Sequence, residues 1–318
     1  MSATGTLGGA VESYLAERRR LGFQMGGSEL RRFARYADAQ GHAGALTAEL
    51  QIGWARLHVR RTTPSTGTRR LQTLRPFVRH YCQYEPESAV LDPRILGPVR
   101  GRPTPHIYTS AELAALVESA AALDGGAGLR GATYATLFGL IAAAGLRLSE
   151  AINLADADID LAGGHLTVRL TKFRKTRRLP LHGSTVEALG SWRDRRDRCW
   201  PRDPEGPFFV GHRGTVLSKR NVEWVFEGLR RGLGWQARGS HPAPRIHDLR
   251  HTFAVRRVQL WHEEDAPIEQ AMFWLCTYLG HAKISDTYWY LTGVPELMAV
   301  AGNRFEAFTA GPAAAGSA

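Results

Sequence analysis

The chain has 318 residues, enough for two domains of ordinary size, each with its own core. Lys plus Arg number 41 against 30 Asp plus Glu, a net charge of +11 with an isoelectric point near 10, so polyanions are the expected partners and nucleic acid comes first. Three cysteines without a C-x-x-C pair exclude a disulfide framework and a zinc knuckle, and with no leader-like start and no apolar run long enough for a bilayer, a reducing cytoplasm and no membrane partner are expected.

Over the first hundred residues apolar side chains recur at helical spacing: Val11, Tyr14 and Leu15, then Leu30, Phe33 and Ala37, then Leu71, Leu74, Val78 and Tyr81. The last group travels with Arg69, Arg70, Arg75 and Arg79, a basic stripe of the kind that follows a phosphate backbone. Pro76 sits inside it and predicts a kink or a later helix start. Between Asp92 and His106, Pro93, Pro98, Pro103 and Pro105 alternate with Gly and Arg, which reads as an extended basic linker. The expected organisation is a helical DNA-binding domain over 1–98, a linker over 99–107, a second domain over 108–310 and a disordered small-residue tail over 311–318.

Thr109 and Glu112 carry the capping-box signature of a helix start, ahead of Leu113 and Val117. The apolar run from Leu137 to Leu146 reads as a core helix. From Ala157 to Leu181 the period changes, with Leu166, Val168 and Leu170 alternating with Thr167 and Arg169. Gly163-Gly164 and the stretch from Lys172 to Thr176 supply the turns of a small antiparallel meander. Helical spacing returns after Ser184 and again at Leu297, Ala301, Phe305 and Phe308. The fold class is therefore mainly α with a small antiparallel β-sheet.

One ordered set of residue types can break and rejoin a phosphodiester: Arg147, Lys172, His247 with Arg250, His281 and Tyr290. Arginine forks donate bidentately to phosphate oxygens, and preorganised donors meet the charge that grows on a five-coordinate phosphorus. His247 and Arg250 stand three apart on a helix and face one way. His247 suits a tyrosine hydroxyl, which is protonated at neutral pH and needs a base or a strongly positive site. Glu150 is expected to orient an arginine or to cap the helix. Only four lysines occur, two of them Lys172 and Lys175 in one turn, where lysine alone among the strong bases can surrender a proton. His247 and His251 stand four apart, but the Glu between them and a third ligand are missing, so neither metal nor cofactor is expected.

The segments Ala144-Gly145-Leu146-Arg147-Leu148-Ser149-Glu150, His247-Asp248-Leu249-Arg250-His251 and Leu279-Gly280-His281, with Tyr290 nine residues on, resemble the tyrosine recombinases, or phage-type integrases. The resemblance covers about Ile107 to Phe308 in its motifs and the N-terminal part in architecture. It implies a helical core-binding domain joined to an α+β catalytic domain, and attack by Tyr290 to give a 3′-phosphotyrosine link. It further implies His281 as a donor to a nonbridging oxygen and Lys172 as the acid for the departing 5′-oxygen, with Lys175 as a competitor or DNA contact. Tyr288 is a rival nucleophile, but spacing selects Tyr290, and a two-residue shift on a helix rotates a side chain by about 200°. The implied partners are double-stranded DNA, further copies of the chain in a tetramer on paired sites, and accessory proteins of a mobile element, in a bacterial cytoplasm at the nucleoid. The run from Trp261 to Pro267 reads as an enlarged acidic loop. Two other functions stay open: relaxation of supercoils like a type IB topoisomerase, and catalytically silent DNA binding on the same fold.

Overall fold

The structure is a computed structural model that describes residues 6–23, 26–57, 65–98, 103–126, 128–169, 176–201, 203–264 and 266–289. The chain divides into two compact units, 1–102 and 103–318.

The first unit packs α1 (Leu7–Arg20), α2 (Ser28–Ala39), α3 (Ala48–Arg56) and α4 (Ser65–Tyr81) around one core. Val11, Tyr14, Leu15, Leu30, Phe33, Ala37, Leu71, Leu74 and Val78 are all buried, as their spacing predicts. The spacing did not flag α3, which buries only Trp54 and Ala55 as apolar side chains and starts on Thr47, whose hydroxyl accepts from the Leu50 amide. Helix α4 runs through Pro76 instead of starting after it; the proline stands at an exposed position, where the carbonyl it leaves without an amide partner costs least. Part of the Pro/Gly segment is structured too. Pro93–Leu96 forms a 3-10 turn against α4, capped by Asp92, and Pro93 is buried.

Residues 103–107, read as the end of a linker, are instead built into the second unit. The Thr104 carbonyl accepts from the Ser240 amide at 2.9 Å, and buried His106 takes the Arg238 amide at 3.3 Å. The proline-rich pattern carried no sign that a loop of the second unit would cover residues 104–106. Residues 99–102 lie outside the described residues.

In the second unit α5 (Ser110–Ala121) opens on the expected capping box between Thr109 and Glu112. It leads into α6 (Leu129–Ala144), which touches α5, α8 and α10 and is apolar on all sides because it is surrounded. Gly145 ends α6 in the left-handed region at φ 60°, and α7 (Leu148–Ile152) follows at once. Strands β1 (Ile159–Asp160), β2 (His165–Val168) and β3 (Arg177–Pro180) form the antiparallel meander, with Leu166 opposite Ile159 on one side and Leu179 on the other. Leu166, Val168 and Leu179 point into the core shared with α6 and α8 (Gly183–Cys199). Helix α9 (Lys219–Gly232) is followed by α10 (Ile246–Glu263), α11 (Ile268–Leu279) and the short α12 (Ser285–Tyr288).

The stretch from Trp261 to Pro267 is not an enlarged loop. Helix α10 continues through Glu263, because Val258 and Trp261 pack against Ile268, Met272 and Leu275 of α11. His262 and Glu263 belong to the last helical turn and Glu264 caps it, while Asp265 lies outside the described residues. The C-terminal helix expected around Leu297, Ala301, Phe305 and Phe308, and the tail over 311–318, also lie outside them.

Candidate active site

Four of the sequence-predicted residues come together where three chain segments end. Arg147 caps the start of α7, His247 and Arg250 stand on the first turns of α10, and His281 follows the end of α11.

Arg250 is 1% exposed, and the fold meets its charge with groups that helix ends leave unpaired. Nη1 donates to the Gly145 carbonyl at 2.7 Å and Nη2 to the Leu279 carbonyl at 2.6 Å, the C-terminal ends of α6 and α11. Those carbonyls lack intrahelical amides and carry the negative pole of their helices, so one buried guanidinium satisfies two chain ends. Nη2 also faces His281 Nε2 at 3.1 Å. A guanidinium can only donate, so Nε2 accepts and the ring proton lies on Nδ1, which donates to buried Thr287 Oγ1 at 2.7 Å. Burial, then Arg250 and Arg147, hold the His281 pKa down to about 4, in keeping with a neutral ring.

This geometry differs from the expectation that His281 donates to a phosphate. Its Nε2 accepts, and donation to an incoming oxygen requires a tautomeric change or uptake of a proton.

Arg147, with its side chain 32% exposed, opens to solvent. Its amide donates to Glu150 Oε2 at 3.0 Å, Nη1 to Glu150 Oε1 at 2.6 Å, and Nη2 to the Gly280 carbonyl at 3.3 Å. Glu150 is the buttress its position suggests, but it serves more than one arginine. Arg177 grips the same carboxylate, and Arg250 Nη1 lies 3.9 Å from it. Burial pushes the Glu150 carboxyl up, yet the bonds and charge of Arg177 and Arg147 outweigh it and bring the pKa to about 2.

His247 stands at the edge of an open groove of about 640 Å³ that Arg147, Ser149, Lys219, Arg230 and Arg245 also line. Surrounding protein, then Arg250 and Arg245, push its pKa down, which keeps the imidazole neutral, with a ring nitrogen at the groove that is free among the described residues. Its ring meets buried His251 edge-on at 4.7 Å, and His251 meets Trp289 at 5.0 Å. That stack is a packing contact, with the two rings at 86° to each other. Tyr288 is exposed at its helix end, and Trp289 takes the inward place.

Lys172, Lys175 and Tyr290 lie outside the described residues. By chain position the two lysines fall in the connection between β2 and β3, and Tyr290 directly follows Trp289.

Sequence reasoning missed Arg177, Arg245 and Thr287. Arg245 precedes α10 and is tied to Asp248 by its amide at 2.9 Å and Nη2 at 2.7 Å. Its place two residues before His247 was the available signal. For Arg177 and Thr287 no local pattern marks the contact, since their partners lie in other elements.

In the first unit the expected basic stripe divides. Arg70 turns inward, donating from Nη1 to the Leu57 carbonyl at 2.6 Å and so closing the end of α3. Arg69 is exposed. Arg75 and Arg79 instead join Arg18, Arg94 and His80 along a groove of about 790 Å³, with Glu17 and Asp92 at its walls.

Residues 109–294 match the family described as "Phage integrase family". Two proteins of Sinorhizobium fredii (strain NBRC 101917 / NGR234) that carry the integrase/recombinase name are similar over nearly their whole length. The y4rE protein is 38% identical, covering 97% of this chain and 98% of the relative, and y4rB is 36% identical, covering 93% and 96%. The fold is similar to that of the Tn1549 transposon integrase in complex with transposon right end DNA, with a TM-score of 0.66 at 16% identity over 94% of this chain and 99% of that one. The chain belongs to the phage integrase family, the tyrosine recombinases, and its activity is that of an enzyme of site-specific recombination.

Proposed function

We propose that this recombinase cleaves double-stranded DNA through a 3′-phosphotyrosine intermediate formed by Tyr290. The observation that carries the reading is the convergence of Arg147, His247, Arg250 and His281 on one rim from three chain segments. Arg147 and Arg250 are the phosphate donors, fixed before substrate arrives, so little reorganisation is needed as charge develops. His247, neutral and solvent-facing, receives the tyrosine proton, and Lys172 protonates the departing 5′-oxygen. His281 joins once a phosphate oxygen displaces its contact with Arg250 and its Nε2 gains a proton, by tautomeric change or by uptake. Lys175 and the groove of Arg75 and Arg79 follow the backbone, with Arg69 beside it. The 5′-hydroxyl freed by cleavage then attacks a partner strand's link, which makes a homotetramer on paired sites the working assembly, with accessory proteins of the element as further partners. A mobile-element role is supported by the integrase/recombinase relatives and by the likeness of fold to a transposon integrase. No metal or cofactor enters this scheme.

The test is a nicked duplex carrying a candidate element end. Cleavage near the nick releases a short strand, religation is blocked, and a protein–DNA adduct that survives detergent accumulates. An adduct supports the reading, and its absence on every candidate end contradicts it.

A further inference from the structure

Arg177 opens β3, the strand that follows the connection containing Lys172, and its side chain is 10% exposed. Its guanidinium reaches two other elements. Nη2 donates to Glu150 Oε2 at 2.8 Å, Nη1 to Glu150 Oε1 at 3.2 Å, and Nε to the Tyr278 carbonyl at 2.8 Å, in the last turn of α11. Gly280, left-handed at φ 66°, makes room for it, since a Cβ there would meet Nη1 at 2.9 Å. Arg147 takes the same carboxylate from its other side and the carbonyl of that same glycine. A ring of bonds therefore joins β3, α7 and the turn that carries His281.

The charges explain what the ring does. Glu150 is 7% exposed, and an isolated carboxylate there would draw the nearest guanidinium into a closed neutral pair. With Arg177 gripping both oxygens, the triad of Arg147, Glu150 and Arg177 keeps one net positive charge. Arg147 then needs to give only one fork nitrogen to the carboxylate.

We propose that Arg177 is a positioning residue: by neutralising Glu150 and anchoring it to α11, it keeps the Arg147 guanidinium available to a phosphate. The proposal rests on the reading of Arg147 as a phosphate ligand. Arg177 touches no substrate and acts through Glu150.

Single-turnover adduct formation on the nicked duplex tests it, using the full chain as wild type, Arg177→Gln, Glu150→Gln and the double variant. Arg177→Gln should slow adduct formation by about tenfold to a hundredfold, the effect of withdrawing one charged hydrogen-bond donor. Its DNA affinity should stay within about threefold, because most phosphate contacts lie elsewhere. A 5′-bridging phosphorothiolate, which needs no leaving-group proton, should leave it slow while restoring Lys172→Ala. Once residue 150 is neutral, loss of Arg177 should matter little, so the double variant should run within about threefold of Glu150→Gln. That comparison holds even where Arg177→Gln alone fails to fold. A double variant more than about tenfold slower than Glu150→Gln would overturn the proposal, as would a wild-type rate for Arg177→Gln or its rescue by the phosphorothiolate. A wild type that forms no adduct would instead sink the phosphotyrosine reading, so the two failures are distinguishable.

Discussion

Arg250 is a full charge that the fold has taken out of water, tied to carbonyls that would otherwise end two helices unpaired. Its place in the motif was legible because a histidine three residues earlier shares its helical face; its carbonyl partners were not, because they come from α6 and α11. Likewise, Glu150 could be read as a partner for Arg147, but only the folded chain brings Arg177, 27 residues away, to the same carboxylate. Three histidines close by, His247, His251 and His281, are held below the usual imidazole pKa, which links the site to pH. Burial, then the neighbouring His247 and Arg245, take the His251 pKa down to about 2. In the unfolded chain an imidazole takes its proton near pH 6.5. The folded state binds fewer protons below that value, so stability falls as pH drops from about 6.5 toward 4.5, before depressed carboxylates such as Glu150 contribute. His251→Phe, which keeps a ring between His247 and Trp289, should flatten this fall by one proton, approaching about 1.4 kcal/mol per pH unit. Urea melts between pH 7 and 5 measure it, and an unchanged slope would contradict a buried neutral His251.

Helix α6 is the element that sets the others in place, and its end is as informative as its length. Gly145 is left-handed at φ 60°, and a Cβ there would meet the Phe253 ring at 2.5 Å. That ring is itself stacked on Tyr278, with centroids 5.4 Å apart, so it has little freedom to yield. The Gly145 carbonyl also holds Arg250. Gly145→Ala should therefore destabilise the second unit by about 1–3 kcal/mol and lower adduct formation beyond what stability alone explains. Denaturant melts beside single-turnover rates separate the two effects, and full activity in a destabilised variant would break the link between this turn and Arg250. Elements were legible where periodicity is strong. The stripes of α1 and α2, that of α4 up to Val78, the capping box of α5 and the alternation at Leu166 and Val168 fell where spacing placed them, while Leu170 lies outside the described residues. Three readings that failed share one cause, which is tertiary cover. Pro93 packs on its unit as a 3-10 turn, Thr104 is bonded to Ser240, and the charged end of α10 stays helical because Trp261 has α11 to pack against.

At the scale of the whole molecule, two units each carry cationic groups on a groove: Arg75 and Arg79 with Arg18 and Arg94 in the first, Arg147 with Lys219, Arg230 and Arg245 in the second. The net charge of +11 announced a polyanion, while only the fold sorts arginines that face a groove from Arg70, which braces α3. If Arg79 follows a DNA phosphate, Arg79→Ala should weaken binding alike on all sequences and reduce the slope of log K against log salt by about 0.9. A fluorescence titration at several salt concentrations reads this, and an unchanged slope would place Arg79 off the DNA path. The chemistry is tested by trapping on the nicked duplex with wild type, Tyr290→Phe and Tyr288→Phe, followed by peptide mapping of the linked residue. Wild type and Tyr288→Phe should form a detergent-stable adduct that maps to Tyr290, and Tyr290→Phe should form none. An adduct that survives Tyr290→Phe, or one that maps to Tyr288, would contradict it.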